Sequence, residues 1–264
     1  MILTDQSEID YHSHSALSRS RLWTLASRTP QHARHAPAKK SKAMDLGKAM
    51  HIAVLEPHRL DDMVMKGGED RRGNQWKDLV YYCNAYGKIP LTESDYGKVF
   101  YMRDAAQALP VLKRLTDGKQ LVEHSGYWID EETGIECRCR PDIYHPGLRI
   151  AADLKTTLNA SPESFMRSIE EYGYHVQEPF YSEGWHYAGG GAVDGFLFIA
   201  IETDFPHVTA CYELLPEAVA EGEAVMHKAL RTWKTCMDTN IWPGYGDGIM
   251  QIDIPRRAYR ETLT

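Results

Sequence analysis

The 264 residues include only five cysteines, at 83, 137, 139, 211 and 236, and none of them forms a CxxC pair. An odd, scattered set reads as reduced thiols rather than a disulfide framework. A chain of this length buries roughly three quarters of its unfolded surface, so no covalent staple is required. Long apolar runs are missing as well. The longest, Phe196 to Ile201, falls far short of the ~20 residues that cross a bilayer. The opening MILTDQSEIDYHSHS is polar and acidic, unlike a secretory leader. Internal repeats and low-complexity stretches are also lacking. These absences exclude secreted disulfide-rich, membrane-spanning and collagen-like classes, and they lead us to expect a cytoplasmic protein. Positive charge is in deficit too, with a net charge of −7. Taken whole, that balance argues against a polyanionic partner.

Its distribution argues otherwise. Between Tyr11 and Met50 stand Arg19, Arg21, Arg28, Arg34, Lys39, Lys40, Lys42 and Lys48 against Asp45 alone, a local +7 that leaves −14 elsewhere. Four histidines (His12, His14, His32, His35) share the stretch. A confined basic region on an acidic chain reads either as a directed electrostatic site or as a solvated basic face.

Periodicity gives an outline of the fold. A short helix is expected over Ser15–Leu25, an exposed loop over Gln31–Lys42 and a helix over Met44–Leu55 that stops at Glu56-Pro57. Lys66–Asn74 has no apolar residue and reads as a mobile loop, and helices follow over Gln75–Tyr86 and Ser94–Leu109. The period then changes. Leu121–Ile129, Ile135–Tyr144 and Leu148–Lys155 are strand-like runs separated by Glu-Thr-Gly and His-Pro-Gly turns. Helices over Ser161–Glu171 and Tyr174–Tyr187 lead to a Gly189–Gly191 break and two further strands, Gly195–Glu202 and Val208–Leu214. A long helix, Pro216–Thr239, carries the stripe Ala220, Ala224, Met226, Leu230 and Trp233. Strands embedded among helices predict an α/β layer architecture in one domain, 1–264. Residues 11–110 would be its mainly helical N-terminal part and 120–240 its core.

The chemistry concentrates in Glu136-Cys-Arg-Cys-Arg-Pro-Asp142 and Ile150-Ala-Ala-Asp153-Leu-Lys155. Strand parity would set Glu136, Arg138, Arg140 and Asp142 on one face and the two cysteines on the other. A hairpin through His145-Pro146-Gly147 would oppose Asp142 to Asp153, with Cβ atoms roughly 4.5–5.5 Å apart. Two such carboxylates repel unless a cation sits between them, and a divalent ion held by oxygen ligands is the natural one. Lys155 reaches the same spot and could orient a water or steady a developing phosphorane. The same residues could instead form a salt-bridge ladder, with Arg140 and Lys155 pairing the two aspartates.

Pro141-Asp142 followed by Asp153-Leu-Lys155 resembles the PD-(D/E)xK nuclease superfamily. Gly47-x-x-x-His51 and Gln177-x-x-x-Tyr181 resemble the motifs that flank this core in its RecB-like branch. The stretches YHSHSALSRSRL, ETGIECRCRPD and YHVQEPFYS, with Trp242-Pro243 and Pro255-Arg256, are similar to the RecE-type exonucleases, the exonuclease VIII nuclease domains. The resemblance spans about Tyr11 to Ala258. It implies an α/β fold in which a central mixed sheet is flanked by helices, with an N-terminal helical portion.

The resemblance also implies roles. His51, Asp142, Asp153 and the Leu154 carbonyl would bind metal, with Gly47 allowing close approach one turn before His51. Asp142, Asp153, Lys155, Gln177 and Tyr181 would form the catalytic set. Trp185, one turn further on, reads as core. The cofactor would be Mg²⁺, two ions per site in the family's pattern, with Mn²⁺ able to substitute because an imidazole is a borderline ligand. Ser18, Arg19, Ser20 and Arg21, with Arg28, would bind the 5′-phosphate, since a helix start is an anion site. Arg138 and Arg140 would touch the DNA backbone, or else pair with Glu136 or Asp142. The activity implied is 5′→3′ digestion of linear double-stranded DNA, leaving 3′ tails for recombination and repair in a prophage setting. A ring-shaped homo-oligomer (trimer or tetramer) and a single-strand annealing partner of RecT type are implied too, and no membrane. The middle acidic residue, Asp153, departs from the glutamate of many superfamily members but fits the RecB-like branch. Two other functions remain open: a catalytically silent DNA-end-binding or scaffold protein, and a single-strand or structure-selective nuclease. A zinc module is disfavoured because Cys137 and Cys139 have no second pair.

Overall fold

The computed structural model describes residues 1–36 and 41–255. Lys39, Lys40 and Arg256 lie outside the described residues. In chain order the elements begin with β1 (Ile2–Leu3), α1 (Glu8–Ser13), β2 (Leu17–Ser18), α2 (Arg19–Ser27) and α3 (Pro30–His35). Next come α4 (Lys42–Leu55), α5 (Leu60–Met63), β3 (Val64–Gly67), α6 (Asn74–Tyr86), β4 (Ile89–Thr92), α7 (Glu93–Ala108) and α8 (Pro110–Leu115). The strands β5 (Leu121–Val122), β6 (Ser125–Ile129), β7 (Glu136–Cys139), β8 (Ile143–His145) and β9 (Ile150–Thr157) follow. The chain continues through α9 (Pro162–Tyr172), α10 (Tyr174–Tyr187), β10 (Gly195–Glu202), β11 (Thr209–Glu213) and α11 (Pro216–Thr239).

A five-stranded mixed sheet, ordered β11-β10-β9-β8-β5, sits at the centre. Within it only β9 and β10 pair in parallel, because α9 and α10 supply the crossover that a parallel pair needs. Both faces of this sheet are covered, which explains why β10 reads GFLFIAIE with almost no polar residue. Phe196, Phe198 and Ala200 face a core built with Leu22, Phe180, Trp185, Leu230 and Trp233 from α2, α10 and α11. Ile199 and Ile201 face the other core, with Met50, Ala53, Val99, Met102 and Leu112 from α4, α7 and α8. Each buried Phe, Leu or Ile contributes about 1.5–3 kcal/mol by leaving water. In such a doubly covered sheet, Asp153 and Lys155 in β9 are exceptions that cost several kcal/mol unless paired.

The fold is thus the expected α/β arrangement of a mixed sheet flanked by helices, with a helical N-terminal region. Several local expectations need correction. The Gln31–Lys42 segment is not all loop: Thr29 caps α3 through its side chain, and Pro30 occupies the first turn. The helix expected from Ser15 begins only at Arg19, since Leu17 and Ser18 pair with β7. The Lys66–Asn74 stretch is tied down, because Lys66 and Gly67 pair with β4 and Glu69 accepts hydrogen bonds from Ser94. On α11 the buried stripe is Gly222, Met226, Ala229, Leu230, Trp233 and Cys236, while Ala220 and Ala224 are exposed.

The correction that matters most concerns the strands expected at Leu121–Ile129 and Ile135–Tyr144. Each divides between two sheets: β5 and β8 belong to the central one, β6 and β7 to a four-stranded sheet ordered β1-β6-β7-β2. The shared face expected for Glu136, Arg138, Arg140 and Asp142 therefore does not run on unbroken to Asp142, although Arg138 and Arg140 stay together over Tyr11. Parity is lost where the ribbon bends between Cys139 and Ile143.

Candidate active site

The bend keeps its register. Leu121 faces Tyr144 on one side and Gly126 faces Cys139 on the other, so Glu123 and Asp142 oppose each other at the kink. The Glu123 amide donates to the Asp142 carbonyl at 3.2 Å, holding the two ribbon halves together. Glu123 takes a left-handed backbone (φ 54°), a conformation that costs a non-glycine residue about 1–3 kcal/mol and concentrates at functional positions. Beyond the kink, Ile143 pairs with Ala152, which sets Asp142 and Asp153 on the next rung as the turn symmetry predicts. The turn itself spans Pro146–Arg149.

His51 comes to this kink on α4. Its Nε2 lies 2.9 Å from the Leu154 carbonyl and donates to it, while Nδ1 is 3.4 Å from Asp142 Oδ2. Asp142 Oδ2 also accepts the Leu154 amide at 2.6 Å. Gly47, one turn before His51, lets the helix close on the sheet: a Cβ there would stand 3.2 Å from Thr156 Oγ1. His51, Glu123 and Asp142 each bring one ligand atom within 4.8 Å of the others.

Crowding of like charges is visible in the protonation of these groups. Burial, reinforced by the Asp142 charge, pushes the Glu123 carboxyl up to about 8. Burial works against a charged His51, yet the Asp142 carboxylate outweighs it and raises the imidazole to about 9. Burial and the neighbouring Asp142 also raise Asp153. Burial opposes ionisation of Asp142 as well, but His51, Lys155 and the Leu154 amide together hold its carboxyl below the usual range. Protons thus sit where a divalent cation would serve better, and a set of one imidazole and hard carboxylates can hold one. The Leu154 carbonyl points at the same place, through its contact with His51.

Lys155 stands beside this cluster. It ion-pairs with Asp153 and donates to Gln177 Oε1 at 3.2 Å. Its Nζ lies 4.6 Å from the centre of the Tyr174 ring. Gln177 on α10 is 1% exposed, and its Oε1 also accepts from Arg19 Nη2 at 3.1 Å. Gln177 therefore ties Lys155 to the start of α2. Tyr181, one turn further, packs edge-on against Phe196 and lies against the core. Trp185 is core, with its indole N–H on the Gly190 carbonyl at 2.9 Å.

The arginines expected on the nucleic-acid side divide. Arg138 donates to the His14 and His12 carbonyls, and Arg140 donates to Ser125 Oγ and the Gln6 carbonyl. Both guanidinium groups lie over the Tyr11 ring. They clamp the N-terminal segment onto the kinked ribbon, and neither forms the ion pair with Glu136 or Asp142 considered from sequence. At α2, Ser18 caps the helix by accepting the Arg21 amide at 3.4 Å, and Ser20 and Arg21 are exposed. Arg19 is anchored by the Tyr172 carbonyl at 2.9 Å as well as by Gln177, and its Nε is buried with no hydrogen-bond partner among the described residues. Arg28 caps the opposite end of α2, roughly 15 Å along the axis, and does not join this group.

Glu123 is the site residue that sequence reasoning missed. The sequence shows only that the apolar run Leu121–Ile129 is interrupted by three polar residues, Glu123-His124-Ser125, which marks a break in the run and not the left-handed backbone of Glu123.

A family model described as "PDDEXK-like domain of unknown function (DUF3799)" matches residues 15–253. No curated protein matches the chain. Among solved structures, a candidate exonuclease from Eubacterium rectale is 13% identical, covers 95% of this chain and 96% of its own, and superposes with a TM-score of 0.64. That likeness is one of fold. A phage-related exonuclease from Haemophilus somnus 129PT is 12% identical over 88% of this chain and 100% of that one, with a TM-score of 0.37. The family match spans both the His51 helix and the Asp142–Lys155 hairpin, so the chain belongs to the PDDEXK-like DUF3799 family, within the PD-(D/E)xK-like nuclease superfamily.

Proposed function

We propose that the chain is a metal-dependent 5′→3′ exonuclease of the RecE type, acting on linear double-stranded DNA and leaving 3′ single-stranded tails. The observation that carries this reading is the seating of Lys155, gripped by Asp153 and Gln177, beside the His51–Glu123–Asp142 cluster. Bound at these carboxylates and His51, one or two Mg²⁺ ions (or Mn²⁺) would supply Lewis-acid charge and a water of lowered pKa. Lys155 then holds the attacking water by its ammonium and balances charge on the phosphorane. The water oxygen bonds to phosphorus as the bond to the leaving oxygen breaks; the water gives up one proton to solvent, and solvent returns one to the leaving oxygen. Gln177 fixes the lysine through its side-chain oxygen, and Asp153 is its charge partner.

The start of α2 suits the 5′-phosphate. Arg19 keeps a buried Nε–H donor with no partner among the described residues, beside the exposed Ser20 and Arg21. An anion there would complete Arg19 and, through Gln177, touch the residue that positions Lys155. Assembly into a trimeric or tetrameric ring, a RecT-type annealing partner, recombination in a prophage setting and a cytoplasmic location belong to the same reading. Among the described residues no helix is long and apolar enough to cross a membrane.

The test is digestion of linear against circular plasmid in Mg²⁺, followed by duplexes with a 5′-phosphate on one strand only. Linear DNA should be consumed from 5′ ends while closed circles survive, and Asp153→Ala and Lys155→Ala should be folded and inactive. Cutting of circles or of single strands alone would favour a structure-selective nuclease. Binding of DNA ends without cleavage in any metal would leave a scaffold.

A further inference from the structure

Besides the kink, one other place among the described residues gathers metal-ligating side chains. Glu183 of α10 meets Glu223 and His227 of α11, each with a ligand atom within 4.8 Å of the others. It shares no residue with the His51 cluster. Gly222 makes the meeting possible: a Cβ there would stand 1.7 Å from the His175 carbonyl oxygen, so only glycine lets α11 press so closely on α10. Glu223 and His227 are four apart and therefore lie on one face of α11.

Hydrogen bonding does not account for this arrangement. His227 Nε2 is 3.8 Å from Glu223 Oε1, and Nδ1 is 4.0 Å from Glu132 Oε2, both beyond hydrogen-bond length. His227 Nδ1 is buried with no hydrogen-bond partner among the described residues. Glu132, in the β6–β7 turn, is meanwhile fixed by Arg231, whose Nη1 lies 3.1 Å from both carboxylate oxygens. Three glutamates around one imidazole are thus offset by a single arginine. An ion bound at about 2.0–2.2 Å would draw these ligand atoms from within 4.8 Å to within about 3.5 Å of one another, a small side-chain movement.

We infer that Glu183, Glu223 and His227 form a second metal site, which takes Zn²⁺ through His227 Nε2 and one oxygen of each carboxylate. Unlike the kink, this cluster has, among the described residues, no neighbouring backbone carbonyl or further aspartate to build the oxygen-rich six-coordinate shell of Mg²⁺. Three protein ligands with water as the fourth match the four-coordinate preference of Zn²⁺. Glu132 is the outer partner. Metal-bound histidines commonly donate their other ring N–H to a carboxylate, and a small ring rotation gives Nδ1 that acceptor. The ion would staple α10, α11 and the β6–β7 turn together. The inference does not depend on the proposed nuclease activity.

The test uses the full chain, stripped with chelator and held in millimolar Mg²⁺. Zn²⁺ is titrated calorimetrically into wild type, His227→Gln, Glu223→Gln and His51→Ala, with melting temperature followed in parallel. Wild type should bind one Zn²⁺ equivalent more than His227→Gln or Glu223→Gln, and its Zn²⁺-induced rise in Tm should shrink in both. His51→Ala should keep that equivalent. Glu223 is exposed, so its variant reports even where His227→Gln folds poorly. Equal Zn²⁺ stoichiometry in wild type and both variants, or loss of all Zn²⁺ binding with His51→Ala, would overturn the site and leave an ion-pair network.

Discussion

The two histidine–carboxylate clusters are built from similar side chains on opposite principles. At the kink, His51, Glu123 and Asp142 are fixed by strand backbone: the Glu123 amide binds the Asp142 carbonyl and the Leu154 amide binds the Asp142 carboxylate. Between α10 and α11 the ligands are side chains only, and Glu223 is half exposed. Each helix reaches its cluster through a glycine, Gly47 on α4 and Gly222 on α11. Burial makes the first cluster electrostatically expensive, with protons retained on Glu123 and His51 well above their ordinary ranges. A site that stores such cost in a rigid frame suits chemistry; a half-exposed one between helices suits a staple.

The sharpest way to break this contrast is Glu123→Gln. It keeps the shape and removes one metal carboxylate, so cleavage of linear duplex in Mg²⁺ should fall about a thousandfold, equivalent to about 4 kcal/mol of barrier. The apo protein should respond in the opposite sense. A carboxyl held at about 8 in the fold, against an ordinary 4.5, costs stability as pH rises between those values. Chelator-treated Glu123→Gln should therefore melt higher than wild type at pH 8 and equally at pH 4. A lower Tm at pH 8 would show that Glu123 is structural.

Metal affinity gives the next effect. Without metal, Glu123 titrates at about 8 and His51 at about 9, and both must lose their protons to ligate. Mg²⁺ binding at pH 7 then releases up to two protons, so affinity should weaken about ten- to a hundredfold from pH 8 to pH 7. Calorimetry in buffers of differing ionisation enthalpy counts these protons directly. A pH-independent affinity would remove Glu123 and His51 from the ligand set.

Much of this frame is legible in the sequence. The bounds of α10, β10 and α11 follow from clear changes of period, and the symmetry of the His145-Pro146-Gly147 turn is enough to oppose Asp142 to Asp153. The four-residue spacing of Gln177 and Tyr181 allows Gln177 to reach either DNA or the lysine, and it reaches the lysine. What periodicity cannot show is the bend. A ribbon that passes from one sheet to another keeps its register while its faces rotate, so parity carries Arg138 and Arg140 towards Asp142 when they in fact clamp Tyr11 and the N-terminal segment. The same bend conceals Glu123, whose left-handed backbone leaves no mark in a hydrophobic pattern. Long-range partners decide the rest: β2 exists because β7 is beside it, and the 66–74 stretch is ordered by Ser94 and β4.

Gln177→Ala tests the outer part of the first cluster. The variant frees Lys155 from one of its two anchors and Arg19 from one of its own, leaving Asp153 to hold the lysine alone. Outer partners of this kind are worth about ten- to a hundredfold in activity. The loss should fall on kcat with Mg²⁺ affinity unchanged, and Gln177→Glu should not restore it, because a second carboxylate beside Asp153 adds repulsion. A drop confined to KM would move Gln177 from the lysine to the DNA.

The glycines give the finest comparison. Gly222→Ala drives a Cβ into the backbone oxygen of His175, which cannot yield without separating two helices; a loss of about 1–3 kcal/mol in stability is expected. Gly47→Ala meets only the Thr156 side chain, with its hydroxyl at 3.2 Å, and that side chain can rotate. The gain in helix propensity, about 1 kcal/mol, then nearly offsets the crowding. Tm should barely move, while α4 shifts by tenths of an ångström and carries His51 with it. Mg²⁺ affinity should weaken a few-fold in Gly47→Ala and stay at the wild-type value in Gly222→Ala. If both variants lose Mg²⁺ affinity alike, the kink is not the rigid frame its backbone hydrogen bonds make it.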